Sequence, residues 1–114
     1  MTGDDPLIQA RALVLHDLSA RGLADAQTVS TLELALSNRR WWLSQWAEGV
    51  DYVAGLVAQD VQDTLLETVG RWPLCTACED EQAHSLYIEP ELGADPHWIC
   101  QDSGKVVAEL GDLG

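Results

Sequence analysis

All three cysteines of the 114-residue chain, and two of its three histidines, lie between residues 75 and 100. Cys75 and Cys78 form a C-x-x-C pair, and Cys100 follows later in the same segment. Zinc prefers four tetrahedral nitrogen or sulfur ligands, and a two-residue gap lets both sulfurs of a C-x-x-C turn reach one ion. An odd cysteine number that includes such a pair favours metal binding over a disulfide framework in a reducing compartment. The residues therefore predict one structural Zn²⁺ ion bound by these three cysteines.

The fourth ligand in this prediction is a histidine, and two histidines compete for the position. His97 forms H-x-x-C with Cys100, a spacing that suits structural zinc sites, and it is the first choice. His84 follows Cys78 in the first loop and is the alternative. Strand alternation opposes His97, because a strand that directs Cys100 and Trp98 inward directs His97 outward. Both histidines therefore stay open as ligands.

The text W-I-C-Q-D-S-G-K around Cys100 resembles the second half of a zinc ribbon, where an aromatic strand runs into C-x-x-C-G and a β-turn. The resemblance covers about residues 72 to 110, and it implies a small β module with Cys75, Cys78 and Cys100 as ligands. Ser103 stands where the family has its fourth cysteine, and a serine hydroxyl is a poor zinc ligand. The C-terminal segment is also similar to small uncharacterised zinc-binding proteins of high-GC bacteria, a likeness that implies no activity.

Hydrophobic periodicity predicts the elements that must position these residues. Apolar residues at helical spacing predict a first helix over Pro6–Ala20 and a third with a stripe over Val50–Val69. The second helix is predicted to begin after Asp25, or later at the capping-box pattern Ser30-x-x-Glu33. Gly49 is expected to interrupt the helical structure between the second and third helices.

Short extended runs replace the helical pattern after residue 70. They comprise residues 86–88, 97–99 and 105–110 and predict three brief strands. We therefore expect an α+β fold, with a three-helix domain over residues 1–70 and a zinc-ribbon-like β module over residues 71–114. The module is too small to bury a core alone, so it should pack with the helices as one compact unit.

Six basic residues against nineteen acidic ones give a net charge of −13. Nucleic-acid affinity depends on Lys and Arg neutralising phosphates, so direct binding to DNA or RNA is disfavoured. An acidic surface suits a basic protein partner, or an inhibitor that mimics the charge of DNA. The sequence offers no apolar run that would span a membrane and no signal peptide, so we expect a cytoplasmic protein.

Two groups of residues on the helices are candidate partner-binding surfaces. The first is an aromatic and cationic patch, and the second is an acidic ridge on the outer side of the third helix. The patch contains Arg39, Arg40, Trp41 and Trp42, and the ridge contains Asp60, Asp63 and Glu67. Core packing of the tryptophans and simple solvation of the charges are the alternatives. The helices could also complete their core by forming a homodimer.

Catalysis has less support in the sequence than protein interaction. A catalytic zinc needs an open coordination position and a neighbouring acid or base, and the chain has neither H-E-x-x-H nor H-x-E. Acidic residues directly after Cys78 disfavour a redox-active thiolate unless a metal compensates. The prediction is a zinc-stabilised interaction or regulatory protein, and the alternative is a zinc-dependent hydrolytic or C-x-x-C redox enzyme with an open metal site.

Overall fold

The computed structural model describes residues 5–75, 84–89 and 95–113. In these ranges the chain forms three α-helices, one 3-10 helix and a three-stranded antiparallel sheet. The helices are α1 (Pro6–Ala20), α2 (Ala26–Gln45), the 3-10 helix (Ala47–Asp51) and α3 (Val53–Thr68). The strands are β1 (Tyr87–Glu89), β2 (His97–Ile99) and β3 (Val106–Glu109), with β2 in the centre. The predicted α+β fold, helices first and a small sheet last, is confirmed.

Side-chain caps determine where α1 and α2 begin. Asp5 accepts the backbone N–H of Leu7 at 2.9 Å, and Pro6 occupies the first turn, where a missing N–H costs nothing. Asp25 accepts the backbone N–H of Thr28 at 2.9 Å, and the Thr28 hydroxyl accepts the N–H of Asp25 at 3.1 Å. This reciprocal capping box fixes the start of α2 at the predicted residue.

A 3-10 helix separates α2 from α3 at the predicted break. Gly49 is buried there against the ring of Trp42, so closely that a Cβ at position 49 would lie 2.3 Å from Trp42 Cη2. The ring of Trp46 meets that of Trp42 edge to face at 5.3 Å and lies 5.7 Å from the ring of Tyr52. These aromatic contacts hold the corner between the two helices.

One apolar core joins the helices to the sheet. The buried residues on both sides of residue 70 form a single cluster, in which Trp72 and Trp98 meet edge to face at 5.3 Å. The helical contributors include Leu7, Val14, Leu18, Val57, Val61 and Leu65, and the C-terminal ones include Leu86, Ile88, Trp98, Leu110 and Leu113. Burial of this apolar surface, at about 25 cal/mol per Å², is what holds the sheet against the helices.

The sheet lies close against α3 at Gly55. A Cβ at this position would meet the side chains of Ile88 and Pro96, each at 3.3 Å. The absence of a side chain therefore lets β1 and the start of β2 lie directly on the helix. Strand β2 then carries buried Trp98 toward the core and leads into buried Cys100.

Candidate metal centre

Cys75, His84 and Cys100 converge at one end of the sheet. Their ligand atoms all lie within 4.8 Å of one another, and no other group of this kind is found among the described residues. The Sγ atom of Cys100 lies 3.5 Å from Nε2 of His84. Cys100 is fully buried, whereas Cys75 and His84 are half-buried.

Backbone pairing brings the first two of these residues together. The N–H of Cys75 donates to the carbonyl of His84 at 2.8 Å, and the N–H of Leu86 donates to the carbonyl of Pro73 at 2.8 Å. An antiparallel bridge between Leu74 and Ser85 lies between these two bonds. Residues 73–75 and 84–86 thus form a short ladder that holds Cys75 beside His84.

Cys100 reaches the same place from the end of β2. Its N–H donates to the carbonyl of Lys105 at 2.9 Å, and its own carbonyl accepts the N–H of Gly104 at 2.7 Å. A tight turn therefore begins directly at Cys100 and directs its side chain inward. Cys75 and Cys100 are not joined by a disulfide.

The separation of the Cys100 and His84 ligand atoms is compatible with a shared metal ion. Bonds of about 2.3 Å to sulfur and about 2.0–2.1 Å to nitrogen, at the tetrahedral angle, separate the two ligand atoms by about 3.6 Å. The observed separation of Cys100 Sγ and His84 Nε2 is 3.5 Å. Two thiolates and one imidazole are also the donors that zinc prefers. These residues therefore lie close enough together to hold a metal ion.

The second ring nitrogen of His84 faces a carboxylate. Its Nδ1 atom lies 3.8 Å from Oδ2 of Asp102, which is in the turn after Cys100. A carboxylate on this side of a ligating histidine orients the ring and raises its basicity. Asp102 has no separate signal in the sequence, because its role depends on which histidine joins the cysteines.

His97 lies elsewhere on the sheet. It is at the start of β2, opposite Glu89 and Glu109 in the neighbouring strands, and its Nδ1 atom lies 3.2 Å from the carbonyl of Asp95. The cluster that the structure forms contains His84 and not His97, so the geometry favours the histidine that the sequence ranked second. Strand alternation explains why His97 is absent from the cluster. Trp98 and Cys100 point inward, so His97 points to the other side. Cys78 lies outside the described residues.

A family profile matches most of the chain. The profile described as Domain of unknown function (DUF8819) covers residues 3–110. The chain belongs to the DUF8819 family. No curated protein and no solved structure matches it. The matched range includes all three clustered ligands as well as Cys78.

The candidate partner surfaces of this DUF8819 protein meet at one ion pair. Arg39 donates from Nε to Asp60 Oδ2 at 2.7 Å and from Nη2 to Asp60 Oδ1 at 2.9 Å. The guanidinium of Arg39 also lies 5.2 Å from the ring centroid of Trp42. The aromatic patch on α2 and the acidic ridge on α3 are therefore adjacent parts of one surface.

The remaining members of the two groups differ in exposure. Trp41 is exposed and Trp42 is half-buried, so only the second tryptophan packs as the core alternative expects. Arg40 extends to within 4.0 Å of Asp5 at the start of α1. Asp63 and Glu67 are exposed on α3. None of the helices in the described part of this DUF8819 protein has the length and apolarity to cross a membrane.

Proposed function

We propose that this protein is a zinc-stabilised interaction or regulatory protein that acts through contacts with a protein partner. One zinc ion would be bound by Cys75, Cys78, His84 and Cys100. Three of these ligands come from the cluster, and Cys78 comes from the C-x-x-C spacing in the sequence. Zinc in such a site supplies folding energy rather than a reactive centre.

The observation that carries the metal assignment is the 3.5 Å separation of Cys100 Sγ and His84 Nε2. A hydrogen-bonded pair could give the same distance, but the sulfur of Cys75 lies within 4.8 Å of both atoms. Two cysteine sulfurs and one imidazole nitrogen lie close together, and the carboxylate of Asp102 faces the other ring nitrogen of His84. This arrangement is the one expected around zinc.

A structural role follows from the size of the sheet and the number of ligands. The strands have three or four residues each, which is too little to be stable without support. Zinc binding contributes about 10–16 kcal/mol in small zinc-finger peptides. Four protein ligands would also leave no position for a water molecule or a substrate, and this favours interaction over the hydrolytic alternative.

The nature of the partner is proposed from charge. A net charge of −13 attracts basic proteins and repels nucleic acid, so the preferred partner is a protein with a basic surface. Thiolate ligands persist in a reducing compartment, which supports a cytoplasmic location.

The metal assignment is tested by a pair of histidine variants. Zinc content would be measured by mass spectrometry for the purified protein, for His84→Ala and for His97→Ala. We expect one equivalent of zinc in the wild type and in His97→Ala, and a loss of zinc together with a lower melting temperature in His84→Ala. Retention of a full equivalent by His84→Ala, with loss in His97→Ala, would reverse the ligand assignment.

The structural role of the metal is tested with cobalt. Substituted Co²⁺ should give the absorption of a tetrahedral site rich in thiolates, and this absorption should not respond to added azide or cyanide. A response to these anions would show an exchangeable position, and the enzymatic alternative would then replace the structural one.

A further inference from the structure

A cleft between α2 and α3 combines an exposed tryptophan with acidic side chains. Its lining residues are Asn38, Arg39, Trp41, Trp42, Asp60, Asp63 and Thr64. Trp41 is 67% exposed, more than any other large apolar side chain among the described residues. An indole left so exposed on a folded surface is a common anchor in protein recognition.

Two tryptophans and two aspartates line this cleft, and Arg39 contacts one of each. Arg39 lies against the ring of Trp42 and forms a bidentate pair with Asp60. Trp41 and Asp63 repeat this pair of residue types. Trp41 precedes Trp42 by one residue on α2, and Asp63 follows Asp60 by three residues on α3. In the described part of the chain, Asp63 forms no salt bridge.

We propose that Trp41 and Asp63 bind an arginine or lysine side chain from a basic segment of the protein partner. The cation would lie on the exposed face of Trp41 and pair with the carboxylate of Asp63. Arg39, Trp42 and Asp60 already show this combination within the chain. A guanidinium on an indole face with a carboxylate beside it combines a cation–π contact with a charge-assisted hydrogen bond.

Charge selects this occupant over the other candidates for the cleft. The net charge of −13 raises the local concentration of a cationic segment and accelerates its association. The same charge opposes the approach of a nucleic acid and of a second copy of the chain. Because Arg39 is already paired with Asp60, it adds little positive charge to oppose a basic ligand.

This inference rests on the proposed function, since it names the surface through which the protein would contact its partner. The test uses the full-length protein loaded with zinc and a short fluorescein-labelled arginine-rich peptide. Binding would be followed by fluorescence anisotropy at about 0.15 M ionic strength, where long-range attraction is largely screened. A lysine-rich peptide and a glutamate-rich peptide of the same length would be measured in parallel.

Matched variants separate the cleft from the overall charge. Asp63→Asn and Asp51→Asn each remove one exposed negative charge, the second outside the cleft and the acidic ridge, and Trp41→Ala and Leu34→Ala each remove one exposed apolar side chain from α2. We expect about threefold to fivefold weaker peptide binding for Trp41→Ala and for Asp63→Asn, and a change within about 1.5-fold for the two controls. The glutamate-rich peptide should not bind.

Three results would overturn the inference. They are an absence of peptide binding, an equal effect of Asp63→Asn and Asp51→Asn, and self-association of the wild type that Trp41→Ala abolishes. Zinc content and melting temperature, measured on the same samples, keep this test separate from that of the proposed function. Equal binding by all zinc-loaded variants would overturn only the cleft, whereas a wild type without zinc would contradict the metal assignment.

Discussion

The buried carboxylate of Asp17 on α1 accepts the indole N–H of Trp98 on β2 at 2.8 Å. The same carboxylate oxygen accepts the backbone N–H of Gly111 at 2.8 Å, and the other oxygen accepts that of Leu113 at 3.1 Å. The ring of His16 lies 2.9 Å from this second oxygen. A fully buried carboxylate is tolerated because donors surround it, and here those donors connect the first helix to the sheet and to the last turn.

Replacement of Asp17 by alanine should therefore destabilise the whole protein and not only α1. The buried N–H donors of Trp98 and Leu113 and the partly buried one of Gly111 would lose their acceptor, and we expect the free energy of unfolding to fall by about 3–5 kcal/mol. Urea denaturation followed by tryptophan fluorescence measures this change. Asp112→Ala is the control, because that exposed side chain lies between Gly111 and Leu113; its effect should stay within about 0.5 kcal/mol. Similar stabilities of the two variants would show that the buried carboxylate is not an anchor.

The elements of the fold could be predicted because their signals are local. Helix α1 is observed with the predicted bounds, Pro6–Ala20. Asp25 caps α2 through hydrogen bonds with Thr28, which is only three residues away. The three strands were also predicted to within one residue at each end. Asp17 could not be assigned in this way, because Trp98 is 81 residues distant and a charged residue in a helix is usually exposed.

The cysteines of the candidate site could be predicted from the sequence, but the histidine that joins them could not. The cysteine spacing indicated that Cys75 and Cys100 lie together, and the structure brings them within 4.8 Å. The choice between the histidines depended on how residues 73–75 pair with residues 84–86, and the sequence contains no signal for that register. The H-x-x-C spacing favoured His97, whereas the backbone ladder places His84 next to Cys75.

Cys78 is predicted to complete the metal site. Cys78→Ser should lower zinc affinity by more than about a hundredfold, which exceeds the loss that accompanies changes around a ligand. Affinity would be measured by competition with a chromophoric chelator. Ser103→Ala is the matched control, since this exposed serine occupies the position of the fourth zinc-ribbon cysteine, and it should keep one equivalent of zinc with unchanged affinity. Wild-type affinity in Cys78→Ser would leave the fourth ligand unassigned.

Gly49→Ala is predicted to disturb the corner between α2 and α3. The added methyl group would lie 2.3 Å from Cη2 and 2.5 Å from Cζ3 of Trp42, so this ring must move and weaken its contact with Arg39. Overpacking of this kind costs about 1–3 kcal/mol. Thermal denaturation should show the loss, and tryptophan fluorescence should shift to longer wavelength as the ring becomes more exposed. Glu48→Ala, at the exposed neighbouring position, should change neither quantity; an unaltered Gly49→Ala variant would contradict the predicted clash.

The capping aspartate of α2 should give part of the acid sensitivity of the protein. The backbone N–H of Thr28, hydrogen-bonded to Asp25, lowers the pKa of this carboxyl below its ordinary value. A carboxyl whose pKa is lower in the folded state stabilises the fold above its unfolded pKa, and this contribution is lost as pH falls through the folded pKa.

Asparagine caps helices about as well as aspartate but does not ionise in this range. We therefore expect Asp25→Asn to be slightly less stable than the wild type near pH 7 and to approach it below about pH 4. Asp25→Ala lacks a capping side chain and should be less stable than Asp25→Asn at every pH. Melting temperatures of the three proteins from acid to neutral pH provide the measurement, and a constant difference between wild type and Asp25→Asn would show that ionisation of this cap does not contribute.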